Sequence, residues 1–161
     1  VSNILYSGVF EKFPKLKTIS VESGVGWLPY LLEELDHEFD ERRVAKNTSL
    51  TKKPSEAFRS NMWATFWHER HGIRSRDEIG VDKIMYSTDY PHGTTTWPKS
   101  VWCRTHSLQD VVSVHDRKKI LMDNAIGLYK LDVDKSQINQ PLYQPGPITV
   151  GPQPETAKPG A

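Results

Sequence analysis

Strand-like runs alternate with helical patterns from residue 3 to about residue 130, and this order restricts the fold more than any other feature of the chain. Three short runs rich in β-branched and aromatic residues are predicted as strands, at residues 17–21, 61–67 and about 82–88. Apolar residues at helical spacing predict helices at residues 3–13, 26–42 and 75–80, and again after residue 113. A chain in which helices separate the strands forms a parallel sheet with right-handed crossovers. The predicted fold class is therefore α/β.

Two of the helices carry more detailed predictions. The helix over residues 26–42 places Leu28, Leu32 and Phe39 on one side and acidic residues on the other. The final helix is predicted to begin at Ser113, which has the spacing of a capping box with Asp116. Its buried side is predicted to consist of Ile120, Leu121, Ala125, Leu128 and Tyr129. Residues 43–55 show neither pattern and are predicted as a polar loop.

A sheet of three parallel strands has two open edges, which are unfavourable in an isolated domain. The strands are therefore predicted to belong to a larger sheet or to be completed by another chain, so a homo-oligomer is one expectation. Residues 1–132 are predicted as a partial domain. Residues 133–161 are predicted as a Pro-rich tail, disordered or draped over the surface, because six of the 11 prolines lie beyond residue 140.

A polar group follows each predicted strand. The groups are Glu22-Ser23-Gly24, His68-Glu69-Arg70-His71 and Asp89-Tyr90-Pro91-His92. Ligands of parallel α/β folds bind beyond the carboxyl ends of the strands. These groups are therefore the predicted location of a functional site.

Each candidate in these groups also has a structural alternative. Asp89 could cap the turn that follows it, Glu22 could pair with a lysine or arginine, and His92 could be a solvated loop residue. The histidines of the helical metalloprotease motif are four residues apart, whereas His68 and His71 are three apart, which disfavours a zinc site at this pair.

Composition and motif searches exclude several classes of function. The net charge of +1, with no basic cluster, predicts neither a nucleic-acid partner nor an anionic membrane. No apolar run reaches the roughly 18–20 residues that span a bilayer. Gly24-Val25-Gly26 lacks the third glycine of a dinucleotide-binding loop, and no Gly-x-Ser-x-Gly elbow is present.

The lone Cys103 fits a reducing compartment, so a cytoplasmic protein is expected. A start at Val1, without Met or a signal-peptide pattern, suggests a fragment or a processed chain.

Three segments resemble the amidohydrolase-related proteins, a family also called amidohydrolase 2. They are "GVFEKFPKLKTISVESGVGWLPYLLEELD", "DKIMYSTDYPHGTTTWPKS" and "DRKKILMDNAIGLYKLD", which together cover about residues 8–132 in the family's order. The second resembles the family's strand-eight motif and is the most specific of the three. The resemblance implies the C-terminal part of a TIM-like (β/α)8 barrel, with about three strands and their flanking helices.

The resemblance also implies roles for particular residues. Asp89 matches the strand-eight aspartate that binds the catalytic divalent ion or takes the proton of its bound water, so Asp89 is both the metal candidate and a catalytic candidate. Glu22 stands where decarboxylases of the family carry a histidine, and His92 matches the motif's histidine; both are further catalytic candidates. The implied ion is zinc first, with manganese or iron as alternatives, and its histidine ligands from the first and fifth strands would lie upstream of Val1.

The function that the resemblance implies is part of a metal-dependent hydrolase or decarboxylase that acts on a small organic molecule. The isolated chain is expected to be inactive without the upstream ligands. A different hypothesis is a non-catalytic remnant, or a module that only binds or assembles.

Overall fold

Three parallel strands form the centre of the computed structural model, which describes residues 1–111, 113–134, 136 and 148–154. The strands are β1 (Thr18–Ser20), β2 (Met62–Phe66) and β3 (Ile84–Tyr86). They form one sheet in the order β1-β2-β3, and Ala64 of the central strand lies opposite Ser20 on one side and Ile84 on the other. The predicted parallel α/β arrangement is confirmed for this part of the chain.

Ten short or medium-length helices are described around the sheet. They are α1 (Ser2–Tyr6), α2 (Val9–Lys12), α3 (Leu28–Glu41), α4 (Val44–Asn47), α5 (Pro54–Asn61), α6 (His71–Arg74), α7 (Arg76–Ile79), α8 (Ser100–Ser107), α9 (Val114–Lys118) and α10 (Asn124–Tyr129). A 3-10 turn at Val81–Lys83 leads into β3, and a π-helical turn at Lys119–Asp123 joins α9 to α10.

Three helix predictions were wrong in detail. The helix predicted at residues 3–13 is divided into α1 and α2, because Gly8 adopts a left-handed conformation with φ of 71°. The predicted loop 43–55 contains α4 and the first turn of α5, and α8 was not predicted at all. The start of α5 depends on a distant contact, since Asp36 of α3 accepts hydrogen bonds from the Ser55 backbone N–H at 2.9 Å and from the Ser55 hydroxyl at 2.6 Å. The start of α5 also has local signals that were missed, since Pro54 is its first residue and the Glu56 carboxylate accepts a hydrogen bond of 2.9 Å from the Lys53 backbone N–H.

The final helical region begins where it was predicted to begin. The Ser113 hydroxyl accepts a hydrogen bond from the Asp116 backbone N–H at 3.2 Å, which is the expected N-cap. The Asp116 carboxylate accepts a hydrogen bond from Arg76 at 3.2 Å. Ile120 is buried as predicted, and Leu121, Ala125 and Leu128 are half-buried. The prediction for Tyr129 was wrong: this residue is 53% exposed, because α10 ends there, before a left-handed Lys130.

The central strand β2 is buried on both faces, as was suggested, whereas the residues of β1 are half-buried. Side chains alternate between the two faces of a strand, and Met62, Ala64 and Phe66 join the main core together with residues of α3, α5 and the π-helical turn. On the opposite face, the Trp63 ring lies beneath the ammonium groups of Lys83 at 4.2 Å and Lys17 at 5.0 Å. All five residues of β2 are buried. Within the described residues, β1 and β3 each pair with β2 alone, so one edge of each has no strand partner.

Residues 148–154 of the C-terminal segment lie against the body of the protein. Ile148 packs on the core, and the Trp102 indole N–H donates a hydrogen bond of 3.0 Å to the Gly151 carbonyl. The Pro-rich tail over residues 133–161 stays a prediction, since residues 135, 137–147 and 155–161 lie outside the described residues. Among the helices that the structure describes, none has the length and apolar character needed to cross a bilayer.

Candidate functional site

Two carboxylates stand just beyond the carboxyl ends of the outer strands. Glu22 follows the end of β1 by two residues, and Asp89 follows the end of β3 by three. Both have left-handed backbones, with φ of 56° at Glu22 and 58° at Asp89. Residues other than glycine rarely adopt this conformation, and such strained positions are concentrated at functional sites. The backbone therefore holds both carboxylates in place by means of unusual local geometry.

The structure brings the three candidate residues together. One ligand atom from each of Glu22, Asp89 and His92 can be chosen so that all three lie within 4.8 Å of one another. Among the described residues, this is the one group of three histidine, cysteine, aspartate or glutamate side chains with that property. His68 and His71 do not belong to it. We refer to Glu22, Asp89 and His92 as the strand-end cluster.

Asp89 is the enclosed member of the strand-end cluster. Its side chain is only 4% exposed, whereas that of His92 is 65% exposed. The Thr94 hydroxyl donates a hydrogen bond to Asp89 Oδ2, and His92 Nδ1 lies 3.2 Å from the same oxygen. The turn after β3 is closed by the Asp89 backbone carbonyl, which accepts from the His92 N–H at 2.9 Å. The partners described for the carboxylate are thus side chains, which disfavours the alternative in which it only caps the turn.

The two carboxylates perturb each other's protonation. The pKa of Glu22 is raised, first by a hydrogen bond with Asp89 and then by the negative charge of Asp89. The pKa of Asp89 is lowered, mainly by the Thr94 hydrogen bond and then by Glu22 and His92. As the pH falls, the pair therefore takes up its first proton on Glu22 rather than on Asp89. Carboxylates whose environments drive their pKa values apart are suited to acid–base roles.

The strand-end cluster has a suitable set of donors for a divalent cation. Two carboxylates and one imidazole are ligands that zinc, manganese and iron all accept. A cation placed among these atoms would also offset the negative charge of Asp89, which contributes to the raised pKa of Glu22. The residues present therefore fit such an ion.

Glu69 holds the loop that carries Glu22, a role that the sequence did not reveal. Its Oε1 accepts a hydrogen bond of 2.7 Å from the Val25 backbone N–H. Two glycines leave room for the carboxylate: a Cβ at Gly24 would lie 2.5 Å from Glu69 Oε2, and a Cβ at Gly72 would lie 2.4 Å from Oε1. Glu69, which belongs to the polar group after β2, therefore positions the loop that carries Glu22.

The neighbouring Arg70 supports the same region from the other side. Arg70 and Arg74 both donate to the Asp110 carboxylate, the Arg74 bond being 2.9 Å long. These hydrogen bonds lower the pKa of Asp110. The contact ties the segment after β2 to the chain that follows α8.

A cavity of about 590 Å³ adjoins the strand-end cluster. Thr94, which donates to Asp89, also lines this cavity, so the two features share a side chain. Trp67, Trp97 and Trp102 contribute to its wall, which agrees with the suggestion that Trp97 lines a pocket. Cys103 also lines it, and burial raises the pKa of this thiol, which makes it a poor nucleophile, as expected.

A parallel sheet that gathers two carboxylates and an imidazole beyond its strand ends defines an α/β protein with a candidate metal and acid–base site. The amidohydrolase family model matches residues 2–131, and the chain belongs to this family. The resemblance inferred from the sequence is confirmed.

Curated relatives of the chain are decarboxylases. It is 31% identical over 132 residues to a gamma-resorcylate decarboxylase of Polaromonas sp., a match that covers 80% of this chain and 39% of that protein. It is 30% identical to a gamma-resorcylate decarboxylase of Rhizobium sp., with 80% and 38% covered. The chain thus spans about two-fifths of the length of these relatives.

Solved structures show the same relationship. A dihydroxybenzoic acid decarboxylase from Polaromonas sp., with bound manganese and the inhibitor 2-nitroresorcinol, matches with a TM-score of 0.65 and 27% identity, over 84% of this chain and 40% of that one. The 5-carboxyvanillate decarboxylase of Sphingomonas paucimobilis matches with a TM-score of 0.67 over 81% of this chain and 38% of that one, and at 22% identity it shows the fold alone. The sheet and its helices agree with part of an amidohydrolase-type barrel.

Proposed function

We propose that this chain supplies the last three strands of a metal-dependent (β/α)8 barrel that decarboxylates small aromatic acids. The observation that carries the proposal is the strand-end cluster, in which Glu22, Asp89 and His92 converge within 4.8 Å. The identity to gamma-resorcylate decarboxylases, over most of this chain, supports decarboxylation as the reaction.

Asp89 is the proposed ligand of the divalent ion. Its side chain is enclosed, and its lowered pKa keeps it anionic, as a metal ligand must be. His92 and Thr94 orient its carboxylate through Oδ2. When bound, the ion would stabilise negative charge on oxygen atoms of the substrate. Manganese is supported by the Polaromonas structure, and zinc stays a prediction.

Glu22 is the proposed proton carrier. Because its pKa is raised, it keeps a proton at higher pH than a free glutamate does. It would give this proton to the ring carbon that bears the substrate carboxylate. The bond from that carbon to the carboxylate carbon then breaks, its electron pair returns to the ring, and CO₂ leaves. Glu22 is exposed, so the carboxylate can take up a new proton from water.

Hydrolysis is the second candidate reaction. An amidohydrolase structure from Mycobacterium avium subsp. paratuberculosis matches with 30% identity and a TM-score of 0.65, over 79% of this chain and 31% of that one. In a hydrolase the same cluster would take a proton from an attacking water.

Metal content and turnover of the full-length protein test the assignment. Purified wild type, Asp89→Asn and Glu22→Gln are compared by elemental analysis after exposure to Mn²⁺, and CO₂ release is measured with 2,6-dihydroxybenzoate. Asp89→Asn should lose the metal and the activity. Glu22→Gln should keep the metal and lose about 10²–10⁴ in kcat, the usual contribution of an acid or base.

The exposed His115 of α9 provides a control, because His115→Gln removes a histidine outside the cluster. This variant should match wild type in both measurements. Full metal content in Asp89→Asn would remove that residue as ligand, and unchanged turnover in Glu22→Gln would remove Glu22 as proton carrier. Release of a hydrolysis product from a test amide or ester, with no CO₂ from the acid, would favour the hydrolase.

A further inference from the structure

We propose that residues 148–154, which lie beyond the family-matched part of the chain, form one wall of a binding cavity for an anionic aromatic ligand. This inference rests on the proposed function, because it assigns the place where the aromatic substrate would sit. The cavity is the space of about 590 Å³ beside the strand-end cluster, and Gln153 is part of its lining.

The C-terminal segment is held in place by specific contacts. The Trp102 indole N–H donates to the Gly151 carbonyl at 3.0 Å, and the Ile148 N–H lies 3.5 Å from the Gln109 carbonyl. Ile148 also packs against the core. Trp102 therefore has two roles: its ring lines the cavity, and its N–H fixes the segment that contributes Gln153 to the lining.

The aromatic side chains of the wall are suited to a planar ring. The Trp102 and His106 rings are stacked, with centroids 4.7 Å apart and planes at 10°. Trp97 is held edge-on by Tyr90 at 5.9 Å and is 64% exposed, so its surface is open to a ligand. Flat aromatic faces of this kind favour stacked or edge-to-face contacts with another ring.

The charge of the wall favours an anion. Lys99, His68 and His106 line the cavity, and its described lining includes no aspartate or glutamate. A volume of this size accommodates a small ligand with room to spare. Because Thr94 both lines the cavity and donates to Asp89, a ligand in contact with Thr94 lies one side chain away from the strand-end cluster.

Equilibrium binding and hydrogen exchange on the full-length protein test this assignment, with 2,6-dihydroxybenzoate as the probe. Saturating probe should slow amide exchange in peptides that contain residues 148–154. Trp102→Phe keeps an aromatic ring but removes the donor to Gly151. It should speed exchange of the segment in the free protein and weaken probe binding about fivefold, the usual effect of one lost hydrogen bond.

Two further variants separate the segment from the rest of the cavity. Trp97→Phe should weaken probe binding and leave the exchange of residues 148–154 in the free protein unchanged. Tyr30→Phe, on the exposed face of α3, should change neither quantity.

The proposal is overturned if the probe fails to bind, or if it binds without protecting residues 148–154. An unchanged dissociation constant in Trp102→Phe would overturn it as well. These outcomes are separate from a failure of the proposed function, which would appear as full metal content in Asp89→Asn or full turnover in Glu22→Gln, whatever the binding data show.

Discussion

Replacing Gly72 by alanine should disturb the support of the Glu22 loop more than a methyl group added to any other glycine that the structure describes. The new Cβ would lie 2.4 Å from Glu69 Oε1, 2.6 Å from the Gly26 backbone nitrogen and 2.6 Å from Val25 Cγ2. Glu69 could turn aside, but the backbone nitrogen of Gly26 cannot move without shifting the loop after β1. The substitution therefore acts on the segment that carries Glu22.

The expected cost follows from two contributions. Overpacking of a buried site costs about 1–3 kcal/mol. If Glu69 moves, the 2.7 Å hydrogen bond that its carboxylate accepts from Val25 is lost as well, and hydrogen bonds to charged groups contribute about 1.5–3 kcal/mol. Alanine in a helix recovers about 0.5–1 kcal/mol relative to glycine. With both losses, the free energy of unfolding should fall by roughly 1.5–5.5 kcal/mol.

Thermal and urea denaturation of the full-length protein measure this change. Gly127→Ala is the matched control, because Gly127 lies in α10 and a Cβ there would meet no atom within 4 Å. The control should leave stability unchanged or raise it by up to about 1 kcal/mol. The two variants should therefore shift the melting temperature in opposite directions. If the two variants have the same melting temperature, the close contact between α6 and the Glu22 loop is not present in solution, and the reasoning is wrong.

Three further outcomes are expected. Asn124→Ala removes two side-chain hydrogen bonds of 2.8 Å to backbone carbonyls at the start of β3, and should lower the free energy of unfolding in urea by about 2–3 kcal/mol; a loss below about 0.5 kcal/mol would contradict the geometry. Asp110 has a pKa below its ordinary value of 3.8, so it stabilises the fold above that pH and loses this effect as the pH falls through the lowered pKa. Asp110→Asn should thus be less stable than wild type near neutral pH, with the difference closing below about pH 4, whereas a constant difference would exclude the ion pair as its source. The buried Cys103 should react with iodoacetamide at pH 8 more slowly than a free cysteine, and an equal rate would show that the thiol is accessible.

The regular part of the fold followed from local patterns. β1, β2, β3 and the long helix α3 lie where runs of β-branched residues or helically spaced leucines predicted them. Two of the missed helices begin at contacts with distant parts of the chain. The Asp36 carboxylate accepts a hydrogen bond from the Ser55 N–H at the start of α5, and the Tyr86 hydroxyl donates a hydrogen bond of 2.9 Å to the Ser100 carbonyl at the start of α8. Contacts between distant residues leave no periodic signal in either partner.

The candidate site was predictable to a similar degree. Glu22, Asp89 and His92 could be chosen because each follows a strand, and the carboxyl ends of parallel strands meet at one edge. Thr94 could not be chosen in this way, and Glu69 follows a strand but had no signal that separated it from its neighbours. Thr94 is one of three consecutive threonines, and its role is visible only because the fold places it beside Asp89. Glu69 likewise has a role only because the fold places it beside the Val25 backbone N–H.

The sequence by itself determined the α/β order of elements, the family and the strand ends at which carboxylates gather. Those properties depend on spacing along the chain, which is visible in one dimension. The tertiary structure alone decided that Glu22 and Asp89 lie close enough to shift each other's pKa, that Glu69 supports the Glu22 loop, and that residues 148–154 reach the tryptophan-lined cavity. Each of these depends on distances of a few ångströms between residues that are tens of positions apart, and those distances exist only after the chain has folded.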